Sequence, residues 1–328
     1  MVTTYLLKII DAMFSNRLVA LFAIFLLTSC SSGIETPLRV GTNVWSGYEP
    51  FYLARTLKHY QNSSIKLVEL ASASDVIHAL RSGNLEAATL TLDEALLLIS
   101  ENHDLKVILV TDFSAGGDVL LAKPEIGSLG KLKGKKIAVE YTAVGALLLD
   151  SALKQGGLEL SDIKVVGCSL IDHLDCYQTN DAIVTFEPIR TRLLDQDAQQ
   201  LFDSSQIPGK IVDVLVVTTK VIESHPKSLS QLIAGYYRAR QFLDEHPNKA
   251  AKYMSTRMQL SPDKVLKTFN GVKLPSLAEN RQLLFGSKSP LQQTAQNLSE
   301  FMFERKLLTK KIELENLTND QFLPAEHQ

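Results

Sequence analysis

The sequence predicts an α/β protein of two lobes, and three observations carry that expectation. From Pro37 onward, short β-like runs alternate with amphipathic helical stretches, an order that calls for parallel sheets covered by helices on both faces. The alternation restarts after a Gly-, Pro- and Lys-rich passage beginning at Lys123. The chain is also long enough for two cores, with 328 residues of which 45% are hydrophobic and 21% charged.

The N-terminus stands apart from this pattern. "RLVALFAIFLLTSCSSG" sets Arg17 before an uncharged apolar run, Leu18 to Leu27, followed by small residues up to Cys30. The run is too short for a stable membrane span and its basic flank suits an export signal over residues 1–29. Leu27-Thr28-Ser29-Cys30 resembles a bacterial lipobox, which predicts lipidation of Cys30, a tether over residues 30–36, and a mature protein outside the cytoplasm, held to a membrane by lipid. Export also puts Cys168 and Cys176 in an oxidising compartment. There they either pair as a disulfide or stay as two buried thiols. A metal is not expected, since Cys-x4-His-x2-Cys around His173 lacks a fourth ligand.

The elements follow in order. "PLRVGT" is a strand and "EPFYLARTLKHY" a helix with Pro50 in its first turn. "IKLVEL" is the next strand, and "SASDVIHALRSGN" a helix capped by Ser72 or Ser74 and stopped by Gly83. "LEAATLT", "DEALLLISEN" and "LKVILVTD" continue as strand, helix, strand. After the crossing, "KIAVEY" is a strand, "AVGALLLDSALKQGG" a helix ended by glycines, "IKVVGC" a strand, "IDHLDCYQ" a short helix and "DAIVTFE" a strand. "LFDSSQIPGKIVDVLVVTTKVI" gives a second loop-rich passage and a β-branched strand, and the rest is helix-dominated. The predicted division is therefore lobe I over 37–122 and 212–328, and lobe II over 123–211, joined by two strands as a hinged clamshell.

In open α/β sheets, ligands gather beyond the carboxyl ends of the strands, where helix N-termini offer free N–H groups. The residues there are Trp45, Ser46, Gly47 and Tyr48 after the first strand, Thr91 and Asp93 after the third, and Phe113, Ser114, Gly117 and Asp118 after the fourth. In the second lobe they are Tyr141, Thr142 and Gly145 after "KIAV", and Glu187 after "DAIVTF". An aromatic wall, hydroxyls, glycines and a few carboxylates suit one small polar molecule. Each also has a purely structural role open to it. Trp45 can seal the seam between lobes, Asp93 can cap a helix, Asp118 can close a turn, and Glu187 can favour a helix start or pair with Arg190.

"VGTNVWSGYEPFYLAR", "GNLEAATLTLDEAL", "VTDFSAGGDVLLAKPEIGSLGKLKGKKIAVE", "DAIVTFEP" and "LFDSSQIPGKIVDVLVV", in this order, resemble the substrate-binding proteins of ABC importers of the nitrate, sulfonate, taurine and thiamine-precursor group. The resemblance spans about Pro37 to Leu284. It implies a type II periplasmic-binding-protein fold, two lobes closing on a ligand, and delivery to an ABC permease and ATPase. Asp93, Asp118 and Glu187 would repel an anion, so an amine-bearing, amidine or zwitterionic ligand is expected, and an aminopyrimidine fits.

A net charge of −2 and a pI near 6.4, with no long Lys or Arg run, give no reason to expect nucleic acid. No Gly-x-Ser-x-Gly elbow, phosphate loop or His-Glu-x-x-His motif appears, and no His sits at a predicted crevice loop. The expectation is a monomeric binding protein without a cofactor. The alternatives are a lipoprotein that signals to a membrane sensor, and an enzyme of the thiamine-pyrimidine or menaquinone biosynthesis type.

Overall fold

The structure, a computed structural model, describes residues 35–140 and 142–325. The leader, Cys30 and Tyr141 lie outside the described residues. Among those described, no helix is long and apolar enough to cross a membrane.

Strand β1 (Leu38–Thr42) leads through a 3-10 turn at Ser46–Tyr48 into α1 (Glu49–Thr56), with Pro50 in the first turn, where no helical N–H is lost. Then come β2 (Ile65–Glu69) and α2 (Ala73–Arg81), whose cap is Ser72; its Oγ accepts from Asp75 N at 3.1 Å. β3 (Ala87–Thr91), α3 (Leu92–Ser100) and β4 (Leu105–Ser114) complete this first run. The second run is β5 (Asp118–Ala122), β6 (Lys136–Val139), α4 (Ala143–Gln155), β7 (Lys164–Gly167), α5 (His173–Thr179), β8 (Ala182–Phe186), α6 (Ile189–Leu194) and β9 (Gln199–Asp203). The chain returns in β10 (Val212–Thr218) and continues through α7 (Thr219–Ser224), α8 (Pro226–Glu245), α9 (Pro247–Met258), α10 (Pro262–Thr268), the two-residue β11 (Val272–Lys273), α11 (Leu277–Leu284) and α12 (Pro290–Glu304).

The strands form two sheets, ordered β11-β4-β10-β3-β1-β2 and β7-β6-β8-β5-β9. In the first, β1, β2 and β3 run parallel, while β10 enters antiparallel between β3 and β4. In the second, β6, β7 and β8 are parallel, and β5 is antiparallel to both β8 and β9. This is the expected α/β architecture of the type II periplasmic-binding-protein fold. One boundary differs from the sequence reading, because Asp118–Ala122 pairs in the second sheet, so the chain leaves the first sheet just after Ser114 and before the Lys-rich passage. The cause is that "VLLA" is a buried strand continuing "LKVILVTDFS" with only Ala115–Gly117 between them, too brief a break to read as a crossing.

The two crossings are bonded to each other. Ser114 Oγ and Ser204 Oγ lie 2.7 Å apart, and Gly116 N donates to Ser204 Oγ at 2.7 Å. Alternation along β5 shows how the second sheet is packed on both faces. Leu120 and Ala122 join one core with Ile137, Leu148 and Leu153, while Val119 and Leu121 join another with Tyr177, Ile183 and Leu193. The first sheet and the C-terminal helices share a single larger core around Leu90, Leu109, Leu215 and Tyr236.

Candidate functional site

The two sheets bring their carboxyl-end loops around one cavity of about 60 Å³, room for several waters or one small organic group. Asn43, Trp45, Tyr48, Thr91, Glu94 and Asp213 line it from the first sheet and its helices; Asp118, Glu140, Thr142, His173 and Phe186 line it from the second. Beside it, and sharing Glu94, Glu140 and Thr142, runs a larger groove of about 1090 Å³ with Leu97, Leu149, Leu153 and Phe301 in its walls.

Trp45, the only Trp of the chain, is buried and lines this cavity. Its Nε1 donates to Asp112 Oδ1 at 3.1 Å, and its ring meets Phe186 edge-on with centroids 5.9 Å apart. Two glycines make room for it. A Cβ on Gly117 would lie 2.6 Å from the Trp45 ring, and one on Gly47 would lie 1.8 Å from Asp112 Oδ2 and 2.8 Å from Trp45 Nε1. These glycines serve close packing around Trp45 instead of lining the cavity.

Two strand carboxylates sit behind the aromatic wall. Register places Asp213 of β10 opposite both Asp112 of β4 and Thr91 of β3, so the two acids are neighbours on adjacent strands. Tyr48 OH donates to Asp213, and Thr111 Oγ1 donates to Asp112 at 3.1 Å. Burial raises the pKa of both, the charge of Asp112 further raising Asp213 and that of Asp118 further raising Asp112. Asp118, whose backbone N donates to Ser114 Oγ at 3.2 Å, has its carboxyl pushed up to about 7, chiefly by burial and further by the charges of Asp93 and Glu187. Glu94 is raised by burial and by Asp93.

Asp93 has a different position from the rest. The cap of α3 is Thr91, whose N donates to Glu94 Oε2 at 2.9 Å. Asp93 instead reaches the other lobe, where Oδ2 accepts from Val144 N at 3.1 Å in the first turn of α4. The cap of α4 is Thr142, whose Oγ1 accepts from Gly145 N at 3.1 Å. A carboxylate of one lobe thus meets the positive end of a helix of the other.

Of the residues the sequence nominates, Trp45, Tyr48, Thr91, Asp118, Thr142 and Gly145 line the cavity and Asp93 lines the adjoining groove. Ser46, Gly47, Phe113, Ser114, Gly117 and Glu187 are not in the lining. Ser114 is engaged in the crossings, and Phe113 pairs across β4 with Val212 and Lys273. The Glu187 carboxylate accepts from Arg190 Nη1 at 2.9 Å, Thr191 N at 3.2 Å and Thr191 Oγ1 at 3.0 Å, which satisfies it within its own helix start. Cys168 and Cys176 are joined as a disulfide.

The sequence reading missed Asp112, Asp213, Glu94, Phe186 and His173, and placed no His at the crevice. His173 is buried and in the lining, with Nδ1 at 2.9 Å from Thr185 Oγ1. One signal was available for the acids, since Asp112 and Asp213 interrupt otherwise apolar strand runs, "VILVTDF" and "IVDVLVV".

Charge sorts the chemistry. Among the described residues, the lining carries Glu94, Asp118, Glu140 and Asp213 but neither Lys nor Arg. Arg257, whose Nη2 donates to Asn43 O at 3.0 Å, is taken up by Glu49 and by Glu69 at 2.7 Å, and Arg190 by Glu187. His173 is held neutral, its pKa lowered to about 4 by burial. Such a cavity can accept hydrogen bonds from a cationic or N–H-rich group and present an aromatic edge to a flat ring.

The chain is 24% identical to the taurine-binding periplasmic protein of Escherichia coli (strain K12) over 233 residues, 69% of each chain. It is 27% identical over 203 residues to a putative thiamine biosynthesis protein of Haemophilus influenzae, covering 60% of this chain and 62% of that one. Among solved structures, the alkanesulfonate-binding protein SsuA from Xanthomonas axonopodis pv. citri, bound to MOPS, superposes with a TM-score of 0.73 at 17% identity, covering 88% of this chain and all (100%) of that chain. The periplasmic nitrate-binding protein NrtA from Synechocystis PCC 6803 gives 0.65 at 12% identity, covering 84% and 83%. A family model matches residues 33–258, and the chain belongs to the NMT1-like family.

Proposed function

We propose that this protein captures a small cationic or N–H-rich organic molecule, of the amine, amidine or aminopyrimidine kind, between its two lobes and delivers it to an ABC permease and ATPase. The observation that carries the choice of ligand is the lining, which among the described residues has four carboxylates and no Lys or Arg. An anion such as a sulfonate would enter an acidic, desolvated site without a compensating cation, whereas an amine or amidine would pair with groups already in place. The family membership and the taurine-binding relative support a solute-binding role, and the choice of ligand rests on the cavity, since one curated relative is named for taurine and the other for thiamine biosynthesis.

In this reading lobe I, predicted over 37–122 and 212–328, ends its first segment at the Ala115–Gly117 crossing, and lobe II runs over 118–211. Ligand bridging Trp45 and Asp213 on one side and Asp118 and Phe186 on the other favours the closed form by its differential affinity, and the permease recognises closure. Export, lipid on Cys30, a monomeric state and the absence of a catalytic step belong to the same proposal. A thermal-shift screen of residues 31–328 tests it, using benzamidine, 4-aminopyrimidine and putrescine against taurine, ethanesulfonate and nitrate. A ligand at about a hundred times its Kd adds roughly 2.7 kcal/mol to stability. Stabilisation by an amine or amidine is expected; stabilisation confined to ethanesulfonate or nitrate overturns the ligand assignment.

A further inference from the structure

His173 lines the cavity from within a loop closed by the Cys168–Cys176 disulfide. The histidine opens α5 and lies in the middle of "CSLIDHLDC", the nine residues from Cys168 to Cys176 that the disulfide closes into a ring. Its side chain is 1% exposed, yet it belongs to the cavity lining. Nδ1 is paired with Thr185 Oγ1 at 2.9 Å, and the imidazole meets Phe186 edge-on with ring centroids 6.2 Å apart at 73°. Nε2 is buried and has no hydrogen-bond partner. A buried ring nitrogen left unpaired costs on the order of 1–3 kcal/mol, so a natural sequence that keeps one at a cavity wall calls for a partner that arrives with the ligand.

The remaining anchors of the loop are few. Its strand, β7, is a sheet edge of four residues, and α5 has only seven. Cys168 N bonds Val139 O at 3.0 Å at one end, and Asn180 N bonds Cys176 O at 3.0 Å at the other. Between them the disulfide is the one covalent tie from the loop's start to the first turns of α5. Tyr177, next to Cys176, is anchored to Ala122 O at 3.1 Å, so the crosslink ties His173 to the core of the second lobe.

The geometry points to His173 as a ligand-contacting, specificity-determining residue whose Nε2 hydrogen-bonds the bound molecule, with the Cys168–Cys176 crosslink as the positioning element that fixes its ring. This rests on the proposed function for the kind of ligand and adds to it a demand on shape. The molecule carries a cationic or N–H edge for the carboxylates and, on the side that faces lobe II, a second polar atom for His173. A heteroaromatic amine meets both demands, whereas a simple alkylamine meets only the first.

The test pairs a binding arm with a ligand-free arm. In the binding arm, 4-aminopyrimidine and benzamidine are titrated into the wild type, His173→Asn, the Cys168→Ala/Cys176→Ala double variant, and the triple variant. Asn keeps a group for Thr185 but removes the ring nitrogen. His173→Asn should weaken 4-aminopyrimidine about tenfold, the size of one buried hydrogen bond, with the variant still melting cooperatively. It should weaken benzamidine less. Removing the crosslink should weaken 4-aminopyrimidine in the wild type but have little further effect on His173→Asn, the non-additivity expected of one residue acting through another. Equal losses in both backgrounds would make the crosslink merely structural, and unchanged affinity in His173→Asn would remove the histidine from the site.

The ligand-free arm reads imidazole ¹⁵N shifts of His173 in the wild type and the double-alanine variant. A single neutral tautomer in the wild type, replaced by an averaged pair of signals without the crosslink, is the expected result. An averaged ring in the intact protein overturns the positioning claim. This arm decides the crosslink's role even where neither amine binds, an outcome that would itself count against the proposed function and not against the bracing of His173.

Discussion

Asp118→Asn should strengthen the ligand-free protein and weaken its grip on the ligand, and the two effects can be sized from the structure. The Asp118 carboxyl lies in the cavity wall with a pKa raised to about 7, mainly by burial. Its unfolded value is near 3.9. Because the folded value lies above the unfolded one, the native state holds a proton that the unfolded chain has released between those two values. Stability therefore falls as pH rises through that window and stays low above it. About three pH units at 1.36 kcal/mol each gives an upper bound of roughly 4 kcal/mol at pH 8, falling to about 1.5 kcal/mol at pH 5. An Asn of the same shape removes that cost and can still accept from Ser114. Thermal denaturation should show Asp118→Asn more stable than wild type by several degrees at pH 8, with the gap narrowing at pH 5. Calorimetric titration with benzamidine should show the opposite sign, a loss of about 10- to 100-fold, the value of one hydrogen bond to a charged group. A lower melting temperature at pH 8 would mean that the Asp118 carboxylate is structurally paired, and unchanged affinity would take it out of the ligand's reach. Either result refutes the reasoning.

Three other outcomes follow from the same geometry. Ligand-free wild type should lose stability between pH 5 and pH 8, because burial raises Glu94, Asp112 and Asp213 as well as Asp118; a flat or rising melting curve across that range would show these carboxyls to be ordinary. Asp93→Asn exchanges a charge-assisted bond to Val144 N for a neutral one, so small-angle scattering of the ligand-free variant should give a larger radius of gyration, as expected when the lobes part more often; an identical curve would deny the bond a role in closure. Gly117→Ala places a methyl 2.6 Å from the Trp45 ring and 3.0 Å from Gly271 O, which should destabilise by about 1–3 kcal/mol and shift Trp45 emission, and a neutral substitution would show that the ring has room to move.

Much of this fold was legible in the sequence because its signals are local. Pro50, Ser72, Thr142 and the Gly156–Gly157 pair mark helix ends by backbone chemistry that needs no partner. The site was legible only where a loop follows its own strand, as at Trp45, Tyr48, Thr142 and Gly145. Its acids were hidden by long-range register. Asp213 becomes a wall residue only because β10 inserts antiparallel between β3 and β4, a pairing of segments more than a hundred residues apart. Glu187 shows the converse: its place after a strand suits a ligand contact, but Arg190 and Thr191 lie close enough along the same turn to satisfy it first. Asp93 had two plausible roles in the sequence, and the neighbouring Thr91 took the cap, which freed the carboxylate to reach the other lobe.

The central claim is that a buried acidic cavity exchanges protons for a cation. Titration calorimetry of benzamidine at pH 6.5, repeated in buffers of different ionisation enthalpy, measures that exchange directly, since the charge of the probe does not change over the range. Binding should release protons, as carboxyls raised by burial ionise against the incoming cation. Binding with no proton release, or binding of ethanesulfonate accompanied by proton uptake, would contradict the account.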